Sequence, residues 1–170
     1  MRESAPLRHR RPELKTLIVL SGLLAPVCAR SEPAPIALAL PVSAACVSSP
    51  FGARAAGGPR ASLFHTGIDL PAAAGTWVHA AAAGTVVAIR RRGSAGLEVE
   101  VRHSPTLTTR YDHLGSVAPA LQSGKRLVAQ GDLLGRIGRT GITYGTHLHF
   151  ELLVNGDRVD AAPVLGLGRC

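Results

Sequence analysis

Short segments with the two-residue periodicity of β-strands follow one another along the middle of the chain. Leu97–Arg102 alternates most regularly, because its apolar residues share one face and its charged residues the other. Further strands are predicted at Thr85–Ile89, which is rich in β-branched residues, at Leu107–His113 and at His147–Val154. Glycines separate these segments at short intervals. The pattern predicts a mainly β domain, built as an antiparallel sheet with many hairpin loops.

The first 29 residues follow a different pattern. Residues 1–15 are rich in arginine and lysine, whereas Thr16–Ala29 is apolar and ends in small residues. A basic region, a short apolar stretch and a small-residue exit are typical of a secretory signal peptide. We therefore predict that residues 1–29 direct export to the periplasm or cell envelope. No apolar run reaches the roughly 20 residues of a membrane span, so no stable span is expected after cleavage.

The remaining chain is predicted to contain a linker and one domain. Residues 30–45 contain three prolines among alanines and leucines and are interpreted as a linker arm, and residues 46–170 as the domain. The 46% of hydrophobic residues is too high for a disordered chain, and the absence of a glycine period or heptad excludes collagen and coiled coils. We expect a monomer.

Net charge bears on the binding partner, and cysteine content bears on the cellular compartment. The net charge of +8 includes the basic leader. The excess left after cleavage is modest and dispersed, and it fits an anionic cell wall as well as nucleic acid, so charge alone does not decide the partner. We expect no nucleic-acid partner. Two cysteines, Cys46 and Cys170, remain after the predicted cleavage. In an exported chain they could form one disulfide, but two independent thiols fit the sequence equally well, because it does not give their separation.

Two short segments contain histidine in patterns that indicate shared chemistry. His65 and Asp69 are four residues apart, and Gly67 between them leaves the backbone free to bend so that both side chains can converge. His147 and His149 are two residues apart on a predicted strand, so their imidazoles project from the same face. This histidine pair fits either a ligand-binding site or an ordinary polar strand face.

Two more histidines occupy predicted strands. His113 ends its strand, and the two-residue period predicts that Thr109 and Tyr111 share its face. His103 continues the apolar register of the alternating strand before it, and we predict a buried structural role for this residue.

Together these segments could form a mononuclear zinc site. Two imidazole nitrogens and one carboxylate oxygen leave the fourth tetrahedral position for water, which is the arrangement of catalytic zinc sites, whereas structural sites are closed and rich in cysteine. The remaining histidines could accept the proton of that water and donate a hydrogen bond to a developing oxyanion. The sequence therefore predicts Zn²⁺ as cofactor and hydrolysis as the reaction.

Several motifs in series resemble those of the lysostaphin/LytM-type zinc metallopeptidases, which cleave peptide cross-links of bacterial peptidoglycan. The resemblance extends from Ser49 to about Pro163 and includes the segments HTGIDL at 65–70, TRYDHL at 109–114 and GTHLHFE at 145–151. It implies that residues 46–170 form a zinc metallopeptidase domain. The implied fold is an antiparallel β-sheet groove, barrel-sandwich-like, that accommodates an extended peptide.

The resemblance also implies a role for each residue of the motifs. Carried over residue by residue, it makes His65, Asp69 and His149 the zinc ligands and His147 the general base. His113 would orient water or stabilise the tetrahedral oxyanion. The implied protein is an exported endopeptidase acting on peptidoglycan stem peptides.

A binding module is the alternative function. Some LytM-like domains have lost metal ligands and act by activating amidases, so this chain could bind the cell wall and regulate an amidase or divisome partner. All five histidine and aspartate positions are intact here, which favours the enzyme.

Overall fold

The structure is a computed structural model that describes residues 36–44, 46–55 and 62–170. The predicted signal peptide, residues 1–29, lies outside the described residues, as does part of the predicted arm, residues 30–45. In the described part of the arm, Val42 and Ala44 are buried in the core. Within the described ranges, no helix has the length and hydropathy needed to cross a membrane.

The described residues form eleven strands and one short helix. In chain order they are β1 Gly52–Ala53, β2 Phe64–His65, β3 Ile68–Pro71, β4 Trp77–His79, β5 Gly84–Arg92, β6 Gly96–Arg102, β7 Leu107–Val117, α1 Pro119–Gln122, β8 Leu127–Val128, β9 Leu133–Ile137, β10 His147–Val154 and β11 Asp157–Val159. All pairings between these strands are antiparallel. The predicted mainly β, antiparallel fold is therefore confirmed.

One nine-stranded sheet contains nearly all of the strands. Its central path runs β11-β10-β7-β6-β5-β8, with β3 beside β10, β9 beside β7 and β4 beside β9. The first half of β10 pairs with β3, and its last residues pair with β11. Strand β10 therefore has β7 on one side and β3 and β11 on the other, and its outward side chains form the floor of a groove.

The two faces of this sheet differ in polarity as the alternation predicts. Leu97, Val99 and Val101 of β6 are buried in the core. On the neighbouring strands, Tyr111 and Phe150 meet edge to face in the same core, with ring centroids 5.4 Å apart. Such packing contributes to stability beyond the area that the rings bury. The opposite face carries the charged residues of these strands.

The prediction that His113 shares a face with Thr109 and Tyr111 was wrong. The Thr109 and Tyr111 hydroxyls are 2.9 Å apart within the core, and the Tyr111 hydroxyl accepts a hydrogen bond from Ala81 N at 2.8 Å. The His113 ring instead lies on the groove side, with its centroid 5.1 Å from that of His147.

A β-bulge explains the change of face. Val99 pairs with Tyr111, and Leu97 pairs with Leu114. Two residue steps on β6 are therefore matched by three on β7, so β7 contains one extra residue. His113, in the bulge, has a φ of 64°. Bulges of this kind interrupt the alternation and redirect a side chain.

The ends of the described domain are linked covalently. Cys46 and Cys170 form a disulfide with a Cα–Cα distance of 5.0 Å. Beside it, Val47 N donates to Gly168 O and Cys170 N donates to Val47 O, at 2.8 and 3.0 Å. Of the two alternatives that the sequence left open, the structure contains the disulfide.

Candidate metal centre

The pairing of β3 with β10 brings an aspartate and a histidine together. Asp69 is directly opposite His149 in this register, and His65 ends the short strand β2 just before β3. His149 Nδ1 lies 3.0 Å from both His65 Nε2 and Asp69 Oδ1. His65 Nε2 lies 3.1 Å from Asp69 Oδ1. Three donor atoms from three separate segments therefore form a nearly equilateral triangle.

The size of this triangle fits a zinc ion. Zinc bonds of 2.0–2.1 Å in a tetrahedral site place neighbouring donor atoms about 3.3 Å apart, close to the distances found here. The three residues are buried and form a group that could hold a metal ion. A second such group contains Asp112, His149 and Glu151, but Glu151 already binds two arginines, which makes it the weaker candidate.

Neighbouring acceptors set the protonation of the two histidines in the triangle. Pro50 O can only accept, so His65 Nδ1 donates to it at 2.7 Å and His65 Nε2 keeps its lone pair. His149 has a carboxylate beside each ring nitrogen, with Asp69 Oδ1 3.0 Å from Nδ1 and Glu151 Oε1 3.6 Å from Nε2. Burial alone would lower the pKa of His149, but these two carboxylates outweigh it and raise this pKa to about 9. A metal ion at the triangle would therefore bind the lone pair of His65 Nε2 and replace a proton on His149 Nδ1.

Gly67 allows the close approach that the triangle requires. A Cβ atom built on it would lie 2.4 Å from Phe150 O and 3.0 Å from His149 Nε2. The backbone does bend at Gly67, but Gly67 is not among the residues with positive φ, so a left-handed conformation is not what requires glycine. The reason for glycine is the lack of space between this loop and β10, which no local pattern could reveal.

His147 and His113 lie beside the triangle. His147 Nε2 is 3.5 Å from Asp69 Oδ1, and the His113 ring centroid is 5.8 Å from that of His149. His113 Nδ1 donates to Thr140 O at 2.9 Å. The Thr143 hydroxyl donates to Gly145 O at 2.6 Å, so it can accept from His147 Nδ1 at 3.4 Å. In both rings the unprotonated nitrogen is therefore Nε2.

Burial and neighbouring groups set the charge states of the site. Burial lowers the pKa of His113 to about 4 and also lowers the pKa of His147, although the Asp69 carboxylate opposes the second shift. Burial alone would raise the pKa of Asp69, but its contacts with the His149 and His65 rings outweigh it and hold this pKa well below its usual range. At neutral pH the centre thus offers one carboxylate and two neutral imidazoles beside it.

Asp112 is the most perturbed carboxyl on the floor of the groove. Burial, with further repulsion from Glu98 and Glu151, raises the pKa of Asp112 to about 7, against the attraction of His149. Its Oδ1 atom is buried and has no hydrogen-bond partner among the described residues. No sequence pattern indicated a role for Asp112, because the environment of a lone aspartate on a strand cannot be read from its neighbours in sequence.

Alternating charges cross the polar face of the sheet from β11 to β5, and three of them, Arg158, Glu151 and Arg92, line the groove. Each arginine of this row contacts a glutamate on the adjacent strand, at distances between 2.6 and 3.2 Å. In spatial order the row is Arg158, Glu151, Arg110, Glu100, Arg90, Glu98 and Arg92. We call it the charge ladder. Charged residues at alternate strand positions were the available signal for it, but their pairing depends on strand order.

Loops form the walls of the groove. Phe64, Ile142 and Tyr144 are partly exposed apolar residues lining it. Arg54 lies on the same side as Ser49: its Nη2 donates to Ser49 Oγ at 2.7 Å and is 3.5 Å from Asp69 Oδ2. The walls therefore combine apolar surface with a cation that holds the second oxygen of Asp69.

All five residues singled out from the sequence line this one groove: His65, Asp69, His113, His147 and His149. His103 lies outside the groove lining. It donates through Nδ1 to Ala83 O and binds the Thr109 hydroxyl through Nε2, both at 2.8 Å. It is half-buried and joins two strands, as its predicted structural role requires.

The chain matches a known protein family. Residues 63–161 match the model of peptidase family M23. The DD-carboxypeptidase/endopeptidase Mpg of Neisseria meningitidis serogroup B is 37% identical over 118 residues, which are 69% of this chain but only 26% of Mpg. The chain thus spans about a quarter of that relative.

Solved structures agree with the family match. A zinc containing peptidase from Vibrio cholerae superposes with a TM-score of 0.65 and 27% identity, over 79% of this chain and 41% of that one. The catalytic domain of lysostaphin from Staphylococcus simulans has the same fold, with a TM-score of 0.60 and 24% identity over 70% of this chain and 90% of that one. The resemblance inferred from the motifs is confirmed, and the chain belongs to peptidase family M23.

Proposed function

We propose that this protein is an exported, zinc-dependent endopeptidase that hydrolyses peptide cross-links of bacterial peptidoglycan. The observation that carries this proposal is the triangle of donor atoms, with sides of 3.0–3.1 Å, next to two neutral histidines in a groove. The name of the relative Mpg, a carboxypeptidase and endopeptidase, supports the choice of peptide substrate.

His65 Nε2, Asp69 Oδ1 and His149 Nδ1 would hold the ion. The chemistry supplied by bound zinc is Lewis acidity, which lowers the pKa of water and polarises the carbonyl of the scissile amide. The chain orients these three ligands through Pro50, Arg54 and Glu151. Such outer contacts fix ligand geometry and commonly change metal affinity by 10–100-fold when removed.

His147 is proposed as the general base. Its lowered pKa keeps the ring neutral, and its Nε2 atom is oriented toward the Asp69 carboxylate at 3.5 Å. It would take a proton from the attacking water as the C–O bond forms. The resulting imidazolium would return that proton to the amide nitrogen as the C–N bond breaks.

His113 is proposed to orient the attacking water. Because its Nδ1 proton is committed to Thr140 O and its pKa is about 4, the neutral ring offers a lone pair at Nε2. A lone pair accepts a hydrogen bond from water but cannot donate one to an oxyanion. Of the two roles that the resemblance implies, this geometry supports the first.

Zinc binding and cleavage can be tested separately on the full chain. We expect the wild type to bind one zinc per chain and to split cross-linked muropeptide dimers, with the products identified by mass spectrometry. His149→Ala should lose the metal, whereas His147→Ala should keep it and lose 10²–10⁴-fold in turnover, the usual contribution of a general base.

His79→Ala is the matched control. His79 lies on β4, forms a hydrogen bond with Gly131 O and does not line the groove. Full zinc occupancy in His149→Ala would contradict the ligand assignment. Zinc binding without any cleavage by the wild type would contradict the enzyme and favour the amidase-regulating module.

A further inference from the structure

Two arginines that the proposed mechanism does not use line the groove. Arg92 ends strand β5 and Arg158 lies on β11, and both share the groove with the histidines of the metal centre. Strands β10, β7 and β6 separate them in the sheet. With a strand spacing of about 4.8 Å, four spacings offset their backbones by roughly 19 Å across the sheet, and the strand register adds a further offset along the strands. The groove therefore has two distinct cationic points.

Buried carboxylates anchor both arginines. Arg158 Nε lies 3.0 Å from each oxygen of Glu151. Arg92 donates to Glu98 Oε2 through Nε at 3.1 Å and through Nη2 at 2.7 Å. Glu98 is completely buried and Glu151 is 4% exposed. A guanidinium held along one edge loses less conformational freedom when it binds a ligand.

The outer parts of the two guanidinium groups remain accessible. Their side chains are 49% exposed for Arg92 and 39% exposed for Arg158. A guanidinium has five N–H donors, and the contacts above use Nε and one Nη of Arg92 but only Nε of Arg158. The other nitrogens have the planar geometry that binds a carboxylate through two parallel hydrogen bonds.

The charge ladder makes these two ends the natural anion sites. Its inner arginines, Arg90 and Arg110, each contact two glutamates, whereas the end members Arg92 and Arg158 each contact one. Four arginines and three glutamates leave one positive charge in excess along the ladder. The ends are therefore the least neutralised members, and both face the groove.

We propose that Arg92 and Arg158 determine specificity by binding two different free carboxylates of one extended peptide. This inference rests on the proposed function, because a groove for peptides must already exist. It narrows the substrate class to stem peptides whose side-chain or terminal carboxyl groups are ionised. Peptides in which those groups are amidated bind more weakly, because a neutral amide offers one acceptor oxygen and no charge.

The test compares two synthetic cross-linked stem peptides that differ only in free or amidated carboxyl groups. The full zinc-loaded chain should cleave the free-acid peptide with about a tenfold lower KM, a difference of the size expected for one charge-assisted hydrogen bond. Arg92→Gln and Arg158→Gln should each raise KM for the free-acid peptide several-fold, with a smaller change for the amidated one. Arg91→Gln is the matched control, since Arg91 is exposed on the same strand but pairs with core-facing Leu97.

Binding to the zinc-free protein, measured by calorimetry, separates this inference from the proposed function. If neither peptide is cleaved but the free-acid peptide still binds more tightly, the endopeptidase proposal fails and the carboxylate sites stand. Equal affinity for both peptides in the wild type overturns the inference. An unchanged preference in both arginine variants overturns it as well, and so does an equal loss for both peptides, which indicates a purely structural role.

Discussion

Gly67 provides the sharpest test of how the metal centre is assembled. Replacing it with alanine places a Cβ atom 2.4 Å from Phe150 O and 3.0 Å from two atoms of the His149 ring. Real Cβ atoms essentially never come closer than 3.0 Å, so the loop or β10 must shift by roughly 0.6 Å. Phe150 O is backbone and cannot rotate away, so the shift separates the loop from β10.

This shift disturbs the donor triangle and weakens zinc binding. Overpacking of this kind typically costs about 1–3 kcal/mol. The shift moves His149 away from His65 and Asp69, whose donor atoms now lie within 3.1 Å. If most of the cost appears in metal binding, zinc affinity falls by about 5–150-fold, because 1.4 kcal/mol corresponds to a factor of ten. Competition with a chromophoric chelator measures the change in zinc affinity. Urea unfolding of the zinc-free protein measures the part of the cost that appears as lost stability.

Gly168→Ala is the control for the effect of an added methyl group. Gly168 is exposed and does not line the groove, and a Cβ atom there has no neighbour within 4 Å. We expect this variant to bind zinc and unfold as the wild type does. If Gly67→Ala also keeps wild-type zinc affinity and the same urea midpoint, the steric account of the site is wrong.

Three further results are expected. Reducing the Cys46–Cys170 disulfide, which spans 124 residues, should lower the free energy of unfolding in urea by about 5 kcal/mol in the chain-entropy model; no difference between oxidised and reduced protein would refute this. Burial lowers the pKa of His103, so the unfolded state gains protons first and stability falls as the pH drops below about 6.5; His103→Gln should show a smaller loss between pH 7 and pH 5. A chelator should abolish cleavage and lower the wild-type melting temperature, because zinc bound only to the folded state stabilises it, but should not change that of His149→Ala.

The sequence predicted those features that depend on local alternation. The faces of Leu97–Arg102 and the shared orientation of His147 and His149 follow from the two-residue period alone, and the structure agrees with both. The contact between Asp69 and His149 depends on the register of two strands 80 residues apart in sequence. Only the resemblance to a known family indicated that pairing.

The features that the sequence did not reveal depend on the register and order of neighbouring strands. The bulge at His113 exists because three residue steps on one strand face two on the next, and neither strand alone contains that information. The charge ladder likewise needs the strand order β11-β10-β7-β6-β5. Glu98 and Arg92 gave no sign of it in a one-dimensional pattern.

Thr140 explains how the sheet tolerates the bulge that brings His113 into the groove. Leu97 and Leu114 pair directly beside the bulge, where the interrupted strand pairing leaves buried backbone groups in need of other partners. The Thr140 hydroxyl bridges them: it accepts from Leu97 N at 2.9 Å and donates to Leu114 O at 2.8 Å. The backbone oxygen of the same residue accepts from His113 Nδ1 at 2.9 Å. A close approach at Gly96, where a Cβ atom would lie 2.4 Å from Thr140, allows all three contacts. One threonine therefore repairs the interrupted ladder and sets the tautomer of His113, so the irregularity of the sheet and the chemistry of the groove have the same cause.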